Sequence, residues 1–357
     1  MKRLNVYMTR LKYGGMELSL INVLNKAKLC DNYEVHLYLT FIVNKELLDL
    51  IDKRVKIHLL CKRKWDIIGK FFTAFKLIFM LINTPKCDVA LDYSTHKGIL
   101  SLLSRKNTKK SIIVVHSDLD RYKDNSFRNK FKKKMAFDKF DTIICVSTKV
   151  QESMVNLYDK SIINKCIVIP NYVDGDSILK KSKSKINEQI DFSIPTFISV
   201  ANHVEEFKNI NLIIDTAEKL KNSKLNFQIL LIGEGPDTNS YINRINELEL
   251  NDYIKVLGSK KNPYPYMLKS KALLFTSYYE GYGMVLDEAR VLGLPIISTG
   301  SGASKEICKD GYGIITNDIT KVMNDCLEGS KISSKEFNYH KHNEDITNKY
   351  QKIMKKG

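Results

Sequence analysis

The chain of 357 residues has no closely paired cysteines, and this absence removes two classes of protein. Its seven cysteines are scattered singly without a Cys-x-x-Cys pair, which argues against both a disulfide framework and a zinc site. We therefore expect a reducing, cytoplasmic environment. The first residues are a basic start followed by a short strand, without a long apolar region or a small-residue cleavage site, so we expect no export signal.

The sequence also lacks a long uninterrupted apolar run. Residues 65–83 are rich in aromatic and aliphatic side chains, but Asp66, Lys70 and Lys76 interrupt the roughly 20 apolar residues that a membrane span needs. This segment is therefore predicted to be a core or interfacial helix. The protein is expected to lie on a membrane rather than in it.

The positive charge is unevenly distributed. Nearly all of the net charge of +17 lies in residues 1–150, which include the basic segments 62–64 and 128–134. Lysines interleaved with phenylalanines suit an anionic bilayer surface, so we expect peripheral association with the inner face of the cell membrane; the phenylalanines are Phe71, Phe72, Phe75, Phe79, Phe127 and Phe131. Nucleic acid would attract the same charge, and charge runs are also common on ordinary solvated surfaces.

Short apolar runs alternate with helical patterns twice along the chain, which predicts two parallel sheets covered by helices. The predicted strands are residues 4–9, 34–41, 55–60, 89–91, 111–116, 142–147 and 166–170, and then 196–201, 227–232, 254–257, 273–276, 296–299 and 313–315. The predicted division is a first domain at 1–176, a linker at 177–194, a second domain at 195–335 and a terminal helix at 336–357. The linker is inferred from a lysine-rich stretch without apolar periodicity.

The most informative segment reads TSYYEGYGMVLDEARVLGLPIIS and begins at Thr276. An apolar strand pattern is followed by the turn Glu280-Gly-Tyr-Gly283 and then by helical periodicity. Backbone N–H groups of Gly281, Tyr282, Gly283 and Met284, at the positive end of a helix dipole, favour an anion such as a pyrophosphate.

Two carboxylates flank this predicted phosphate site. Glu280 lies on the turn and Glu288 about one turn inside the helix. Carboxylates accept hydrogen bonds from vicinal hydroxyls, so the combination suits a nucleotide sugar, which carries hydroxyls at both ends of its diphosphate. The alternative is an ordinary strand-turn-helix with two solvated glutamates.

The pattern Glu280-Gly-x-Gly-x4-Glu288-Ala, followed by Gly293-x-Pro295, resembles the Glu-x7-Glu signature of the family 4 retaining glycosyltransferases of GT-B fold. Further segments agree in chain order: Gly14-Gly15-x-Glu17, Val114-Val-His116-Ser, Ile169-Pro-Asn171, Lys208-Asn209, Leu231-Ile-Gly233-Glu-Gly235 and Val256-Leu-Gly258. The resemblance spans nearly the whole chain. It implies an α/β protein of two facing, Rossmann-like, doubly wound domains with a cleft between them, and a terminal helix that returns to the first domain.

The resemblance also implies roles for individual residues. His116 would contact the transferred sugar near its reacting carbon, Glu280 the sugar hydroxyls and Glu288 the ribose diol. Lys208 would neutralise the diphosphate, and the remaining donor-binding positions would be Gly14, Gly15, Asn202, Gly233 and the turn residues Gly281 to Met284. Family members usually carry an arginine about five residues before this lysine, where the chain has Asn202 or His203 instead.

No metal or other cofactor is expected. Asp118-Leu-Asp120 and Asp174-Gly-Asp176 mimic the Asp-x-Asp metal motif of the other major glycosyltransferase fold, but that motif accompanies an N-terminal nucleotide-binding domain. Gly14-Gly15 lacks the Gly-x-Gly-x-x-Gly spacing of a dinucleotide fingerprint, so nicotinamide chemistry has little support.

The resulting hypothesis is a retaining, metal-independent hexosyltransferase that uses a nucleotide-diphosphate sugar, with UDP as the expected nucleotide. The expected acceptor is a glycan or lipid-linked molecule in cell-surface polysaccharide or capsule assembly. A nucleotide-sugar 2-epimerase shares the fold and stays as an alternative, although the Glu280 and Glu288 pair argues against it. A basic nucleic-acid-binding protein is disfavoured because no recognition motif accompanies the charge.

Overall fold

The computed structural model of the chain describes residues 1–12, 14–59, 85–93, 98–121, 136–158 and 160–355, together with Phe75, Phe79 and Asn83. Within these residues the chain divides into two compact units. The first comprises Met1–Tyr172 and Lys341–Gly357, and the second comprises Val173–His340.

The strands coincide with the short apolar runs of the sequence. In the first unit they are β1 (Lys2–Leu11), β2 (Tyr33–Ile42), β3 (Lys56–Leu59), β4 (Cys87–Asp92), β5 (Thr108–Val115), β6 (Thr142–Cys145) and β7 (Cys166–Val168). In the second they are β8 (Thr196–Val200), β9 (Gln228–Ile232), β10 (Ile254–Gly258), β11 (Ala272–Phe275), β12 (Ile296–Ser298) and β13 (Gly313–Ile315). Every predicted strand is present, with ends shifted by a few residues.

Among the continuously described residues of the first unit, the helices are α1 (Gly15–Lys26), α2 (Leu29–Asn32), α3 (Gly98–Leu103) and α4 (Thr148–Leu157). Those of the second are α5 (Gly175–Ser182), α6 (Glu205–Lys208), α7 (Ile210–Asn222), α8 (Thr238–Glu247), α9 (Tyr264–Leu268), α10 (Met284–Val291), α11 (Ser304–Ile307) and α12 (Ile319–Leu327), and the chain ends in α13 (Tyr339–Lys355). In the part of the chain that the structure describes, no helix is long and apolar enough to cross a bilayer.

Both sheets are parallel and doubly wound, as predicted. The strand order is β3-β2-β1-β4-β5-β6-β7 in the first unit and β10-β9-β8-β11-β12-β13 in the second. The direction of winding reverses between β1 and β4 and between β8 and β11. Loops that leave the carboxyl ends of strands at such a switch point are where open α/β sheets bind ligands.

Continuous apolar strands fill both cores because a parallel sheet is covered by helices on each face. In the second unit Leu231 and Leu274 are fully buried against Ile213 of α7 and Met323 of α12. In the first unit Val6, Leu91, Ile113 and Ile144 are equally buried. The loops after these strands are therefore carried by rigid elements.

The terminal helix belongs to the first unit, as expected from the resemblance. The hydroxyl of Tyr33 donates to the carbonyl of Met354 (2.8 Å), and the ammonium of Lys110 donates to the carbonyl of Ile353 (2.5 Å). These bonds satisfy carbonyl groups that the last turn of a helix leaves unpaired. Tyr350 adds a buried hydroxyl contact with Tyr93 at 3.1 Å.

The predicted linker at residues 177–194 is folded onto the second unit instead. Asp174 caps α5, which begins the segment, and the side chain of Gln228 donates to the carbonyl of Asp191 (2.6 Å). The lysine-rich sequence does not predict this helix, because Ile178 is the one large apolar side chain that the short helix buries. The first unit accordingly ends at Tyr172 rather than at residue 176.

The basic segments 62–64 and 128–134, with Phe71, Phe72, Phe127 and Phe131, lie outside the described residues. Phe75 and Phe79 are described, and both are helical and largely exposed.

Candidate functional site in the second unit

The turn between β11 and α10 carries the first predicted carboxylate. Gly283 occupies the N-cap position with a φ of 91°, and no side chain caps the helix there. An added Cβ on Gly283 would lie 2.9 Å from the ring of Phe275, so the turn needs glycine both for its backbone and for space. Gly281, Tyr282 and Gly283 are buried, whereas Met284 is half-buried at the start of the helix. An anion would meet α10 at this partly exposed first turn.

Glu280 on this turn forms an ion pair with Lys208 at the end of α6. Both side chains remain partly accessible, at 22% for Glu280 and 19% for Lys208. The backbone holds the two elements together, since the hydroxyl of Thr276 donates to the Lys208 carbonyl (2.9 Å) and the Tyr278 N–H donates to the Phe207 carbonyl (2.9 Å). Two predicted donor-binding residues, distant in sequence, are thus in direct contact.

Glu288 lies one helical turn inside α10 and faces Tyr264, whose hydroxyl donates to it at 3.3 Å. Burial of the carboxyl raises the pKa of Glu288 to about 7, opposed by the Tyr264 hydrogen bond and by the positive charge of Lys181. Burial raises the pKa of the Tyr264 hydroxyl, and the neighbouring Glu288 carboxylate raises it further. Glu288 is therefore poised between its two protonation states near neutral pH.

The loops that follow β8 and β9 cross each other at close range. An added Cβ on Gly233, which has a φ of 145°, would lie 1.8 Å from the carbonyl oxygen of Ala201. One on Gly235 would lie 2.2 Å from the carbonyl oxygen of His203. The Gly-x-Gly pair of this segment is thus required for two backbones to pass each other.

His203 holds this crossing together from inside. Its ring is buried, its Nδ1 pairs with the Thr238 hydroxyl at 2.9 Å, and burial lowers the pKa of the imidazole. The backbone N–H of His203 donates to the Glu234 carbonyl (3.1 Å). Asn202 is exposed instead. Of the two residues predicted at the place of the missing arginine, His203 thus serves the fold and Asn202 is accessible to a ligand.

A depression of about 600 Å³ opens beside this crossing. It is lined by Glu234, Gly235, Thr238, Ile242, Val256 and Gly258. Its volume lies within the range of small-molecule sites. Glu234 is fixed at its edge, since its carboxylate accepts the Ser259 N–H at 3.1 Å.

The remaining predicted site residues lie in the first unit. Gly14 has an extended φ of −179°, and what restricts the position is the buried Glu17, whose carboxylate would lie 2.6 Å from an added Cβ. Gly15 begins α1. His116 directly follows β5, is half-buried and packs on Tyr93 with ring centroids 5.1 Å apart.

The two Asp-x-Asp segments have other partners. Lys149 bridges Asp118 (3.7 Å) and Asp120 (2.6 Å), and Asp174 caps α5 while Asp176 accepts from the Tyr339 hydroxyl (2.7 Å). Among the residues that the structure describes, no group of three or more His, Cys, Asp or Glu side chains is arranged to hold a metal ion.

The backbone crossing allows a test of the site's architecture. We expect Gly233→Ala to lower the free energy of unfolding of the second unit by several kcal/mol, because the new methyl group overlaps the Ala201 carbonyl. Gly293→Ala is the matched control: it also has a positive φ, 66°, but nothing lies within 4 Å of its Cβ position, so it should cost only about 1–2 kcal/mol. Urea unfolding measures both, and equal losses would contradict the close approach.

Comparison with known proteins shows which family the second unit is similar to. Residues 181–324 match the family model described as glycosyl transferases group 1, and this range contains Lys208, Gly233, Glu280 and Glu288. A crystal structure of Anabaena HepE in complex with UDP and glucose superposes with a TM-score of 0.75 at 17% identity, covering 98% of this chain and 100% of that one. The chain has the GT-B fold, and residues 181–324 are similar to the group 1 glycosyltransferases. Staphylococcus aureus TarM, crystallised with fondaparinux, α-GlcNAc-glycerol and UDP, has the same fold, with a TM-score of 0.73 at 14% identity over 99% of this chain and 100% of that one.

Two curated relatives match this chain over most of their length. A Campylobacter jejuni protein named N-acetylgalactosamine-N,N'-diacetylbacillosaminyl-diphospho-undecaprenol 4-alpha-N-acetylgalactosaminyltransferase is 26% identical over 93% of this chain and 92% of its own. A Staphylococcus aureus capsular polysaccharide biosynthesis glycosyltransferase, CapH, is 28% identical over 84% of this chain and 81% of its own. The predicted resemblance to this family and the predicted fold are thus confirmed.

Proposed function

We propose that this glycosyltransferase transfers a sugar, with retention of anomeric configuration, from a nucleotide-diphosphate donor to a glycan or lipid-linked acceptor. The observation that carries the proposal is the Lys208–Glu280 ion pair at the uncapped start of α10, one turn before Glu288. A nucleotide sugar carries a diphosphate between a ribose and a second sugar. A cation and a helix N-terminus suit the diphosphate, and two carboxylates suit the hydroxyls of the two sugar rings.

Lys208 binds the diphosphate in this proposal. Its present partner, Glu280, neutralises it in the absence of donor. Donor phosphate competes for the ammonium and leaves the Glu280 carboxylate to accept hydrogen bonds from the sugar hydroxyls. Glu288, held by Tyr264, accepts those of the ribose. The depression beside Gly235 receives the base, for which UDP is the first candidate because HepE and TarM were crystallised with UDP.

The reaction replaces one bond at the anomeric carbon on a single face of the sugar. The bond from that carbon to the leaving phosphate oxygen breaks, and a bond to the acceptor oxygen forms on the same side. The acceptor proton passes to an oxygen of the departing phosphate, so a carboxylate base is not required. Lys208 and the α10 N-terminus stabilise the charge that develops on the leaving group, and His116 contacts the sugar near its reacting carbon. We propose that no metal ion is needed.

The acceptor belongs to polysaccharide or glycoconjugate biosynthesis in this proposal. The Campylobacter relative is named for a diphospho-undecaprenol acceptor and the Staphylococcus relative for capsular polysaccharide. An acceptor of this kind, a lipid-linked glycan, is the class to supply in the assays.

The test of the proposed function is incubation of the protein with a panel of nucleotide sugars. We expect slow release of the nucleoside diphosphate from one donor, faster release with a lipid-linked glycan, and an α linkage in the product by NMR when the donor is α-linked. Activity should survive EDTA. Conversion of the donor to its 2-epimer would establish the epimerase instead. Inversion of the anomeric configuration would refute the mechanism. Loss of activity in EDTA that manganese restores would indicate a metal site at Asp118 and Asp120.

Glu280 should affect turnover more than affinity. Since it contacts the transferred sugar rather than the nucleotide, we expect Glu280→Gln to lower kcat roughly 10- to 100-fold, the loss of one charge-assisted hydrogen bond. The Kd for UDP should stay within about threefold of wild type. Calorimetry and steady-state kinetics measure the two quantities. A weakened UDP affinity with unchanged kcat would place Glu280 at the nucleotide instead.

We also propose that the first unit binds an anionic membrane surface. Phe75 and Phe79 are both helical and are 66% and 58% exposed, so two aromatic side chains are available to an apolar phase. We expect Phe75→Ser/Phe79→Ser to reduce sedimentation with anionic vesicles, whereas Leu102→Ser, at another exposed apolar residue of the same unit, should not. A residual binding at 1 M salt should depend on the phenylalanines, because the Debye length falls to about 3 Å while burial persists. Equal binding of neutral and anionic vesicles, or no effect of the double substitution, would contradict the proposal.

A further inference from the structure

The turn that carries Glu280 is hydrogen-bonded to α10, the helix that follows it, through a buried side chain. The hydroxyl of Tyr282 donates to Asp287 at 2.7 Å, and Asp287 is completely buried. The carbonyl of Tyr282 accepts the Ala303 N–H at 3.0 Å. Tyr282 is predicted to offer the donor its backbone N–H, while its side chain points into the unit, with only 5% of the residue exposed. The side chain therefore serves as a structural link between the turn and the helix.

The buried Asp287 is balanced by Arg290, whose guanidinium donates to its other oxygen at 2.7 Å. Burial of a charge without such a partner would be strongly unfavourable. Arg290 in turn lies between two aromatic rings. Its guanidinium carbon is 3.5 Å from the centroid of Phe337 and 4.6 Å from that of Tyr312. The two rings are themselves edge to face, at 5.9 Å and 78°.

Phe337 belongs to a segment that follows α12 and leads into α13. The backbone holds this segment on the second unit, because the Lys335 N–H donates to the Gly311 carbonyl (3.2 Å) and the Tyr312 hydroxyl donates to the Glu336 carbonyl (3.4 Å). Tyr339 adds a hydrogen bond to Asp176 at 2.7 Å. The ring of Phe337 is therefore placed against Arg290 by contacts on both sides of it.

We propose that Phe337, Arg290, Asp287 and Tyr282 form a positioning relay that fixes the shape of the donor-binding turn, with Phe337 as its outermost member. Each member sets the next. The ring of Phe337 orients the guanidinium, the guanidinium orients the buried carboxylate, and the carboxylate holds the tyrosine that lies between Glu280 and Gly283 on the turn. The relay rests on the proposed function, since the shape it fixes is the one that would bind a nucleotide diphosphate.

The relay predicts an effect on donor binding from a residue that does not touch the donor. We expect Phe337→Leu to raise the Kd for UDP roughly 5- to 30-fold, because the guanidinium loses the ring face that orients it. Phe337→Tyr keeps that face and should bind UDP as wild type does. Tyr282→Phe removes one hydroxyl from the other end of the relay and should also raise the Kd for UDP. Calorimetry with UDP measures all three variants.

A matched core substitution separates positioning from general loss of stability. Phe227→Leu also removes a buried ring from the second unit, beside Tyr253 and away from the turn. It should lower Tm without changing the Kd for UDP. Equal weakening of UDP by Phe227→Leu and Phe337→Leu, or wild-type affinity in Phe337→Leu, would overturn the relay.

Amide hydrogen exchange without ligand distinguishes failure of the relay from failure of the proposed function. The relay predicts faster exchange at Gly281 to Met284 in Phe337→Leu than in Phe227→Leu, whether or not UDP is the ligand. If wild type binds no nucleotide but this difference in exchange is present, the proposed function fails and the relay stands. If UDP binds and the exchange rates are the same in both variants, the relay fails alone.

Discussion

Replacing Lys208 by methionine is expected to lower kcat/KM for the nucleotide-sugar donor roughly 100- to 1,000-fold, the effect of removing one charge that stabilises a leaving group in a water-poor site. The substitution removes the ammonium from beside the α10 N-terminus and leaves Glu280 without its counter-ion. Donor phosphate would then meet an uncompensated carboxylate. Both consequences act against the diphosphate, so binding and turnover should fall together.

The control for Lys208→Met is Lys219→Met. Lys219 is an exposed lysine on the neighbouring helix α7, so the same change in net charge occurs away from the turn. Steady-state kinetics with the donor identified in the panel should show wild-type values for this variant. Similar losses in both variants would mean that general charge, rather than a placed ammonium, attracts the donor.

Glu288→Gln is expected to weaken the binding of UDP and to stabilise the folded protein. Loss of a charged acceptor for the ribose should raise the Kd for UDP roughly 10- to 100-fold, or about 1.5–3 kcal/mol. The wild-type carboxyl, however, is held where its burial raises its pKa to about 7, above the value of 4.5 that it has when unfolded. The folded state therefore binds the proton more tightly, and its stability declines as pH rises from about 4.5 through about 7.

Glutamine removes this penalty, so the gain should be greatest above neutral pH. At pH 8 we expect a free energy of unfolding about 1–2 kcal/mol higher than wild type, with a smaller difference at pH 5. Urea unfolding of both proteins at the two pH values measures it. A gain in the free energy of unfolding that does not depend on pH, or a loss at pH 8, would show that the folded state does not disfavour the ionised form of Glu288.

The same group predicts the pH dependence of donor binding in wild type. If the ribose hydroxyls require an ionised carboxylate, the KM for the donor should rise as pH falls through about 7. In Glu288→Gln the KM should be high at every pH. The paired profiles distinguish titration of Glu288 from titration of other groups of the enzyme.

The strands and their parallel arrangement were predictable because continuous apolar runs such as those around Leu231 and Leu274 alternate with helical patterns. The turn at Glu280 and Gly283 was predictable because glycine spacing marks backbone that other residues cannot adopt. A helix inside the predicted linker was not, since a single buried isoleucine, Ile178, produces no periodic signal.

Pairings between distant side chains were the part of the site that the sequence did not provide. Lys208 and Glu280 were each predicted to meet the donor, but their contact depends on how α6 packs against the turn. The stacking of Phe337 on Arg290 depends likewise on a chain segment that follows α12. His203 and Asn202 are adjacent in sequence and differ only in which of them faces inward. A signal for His203 exists, since a neutral imidazole tolerates burial between two loops better than a charged side chain does.

The location of the donor site is tested most directly by amide hydrogen exchange of the wild-type protein with and without UDP. The proposed site predicts protection in three places, at Gly281 and the start of α10, at α6 around Lys208, and at the loop containing Gly233 and Gly235. The first unit should change less in the presence of UDP alone, because its predicted roles concern the sugar and the acceptor. Protection confined to other parts of the second unit, or to the first unit, would contradict the assignment of the nucleotide to the turn between β11 and α10.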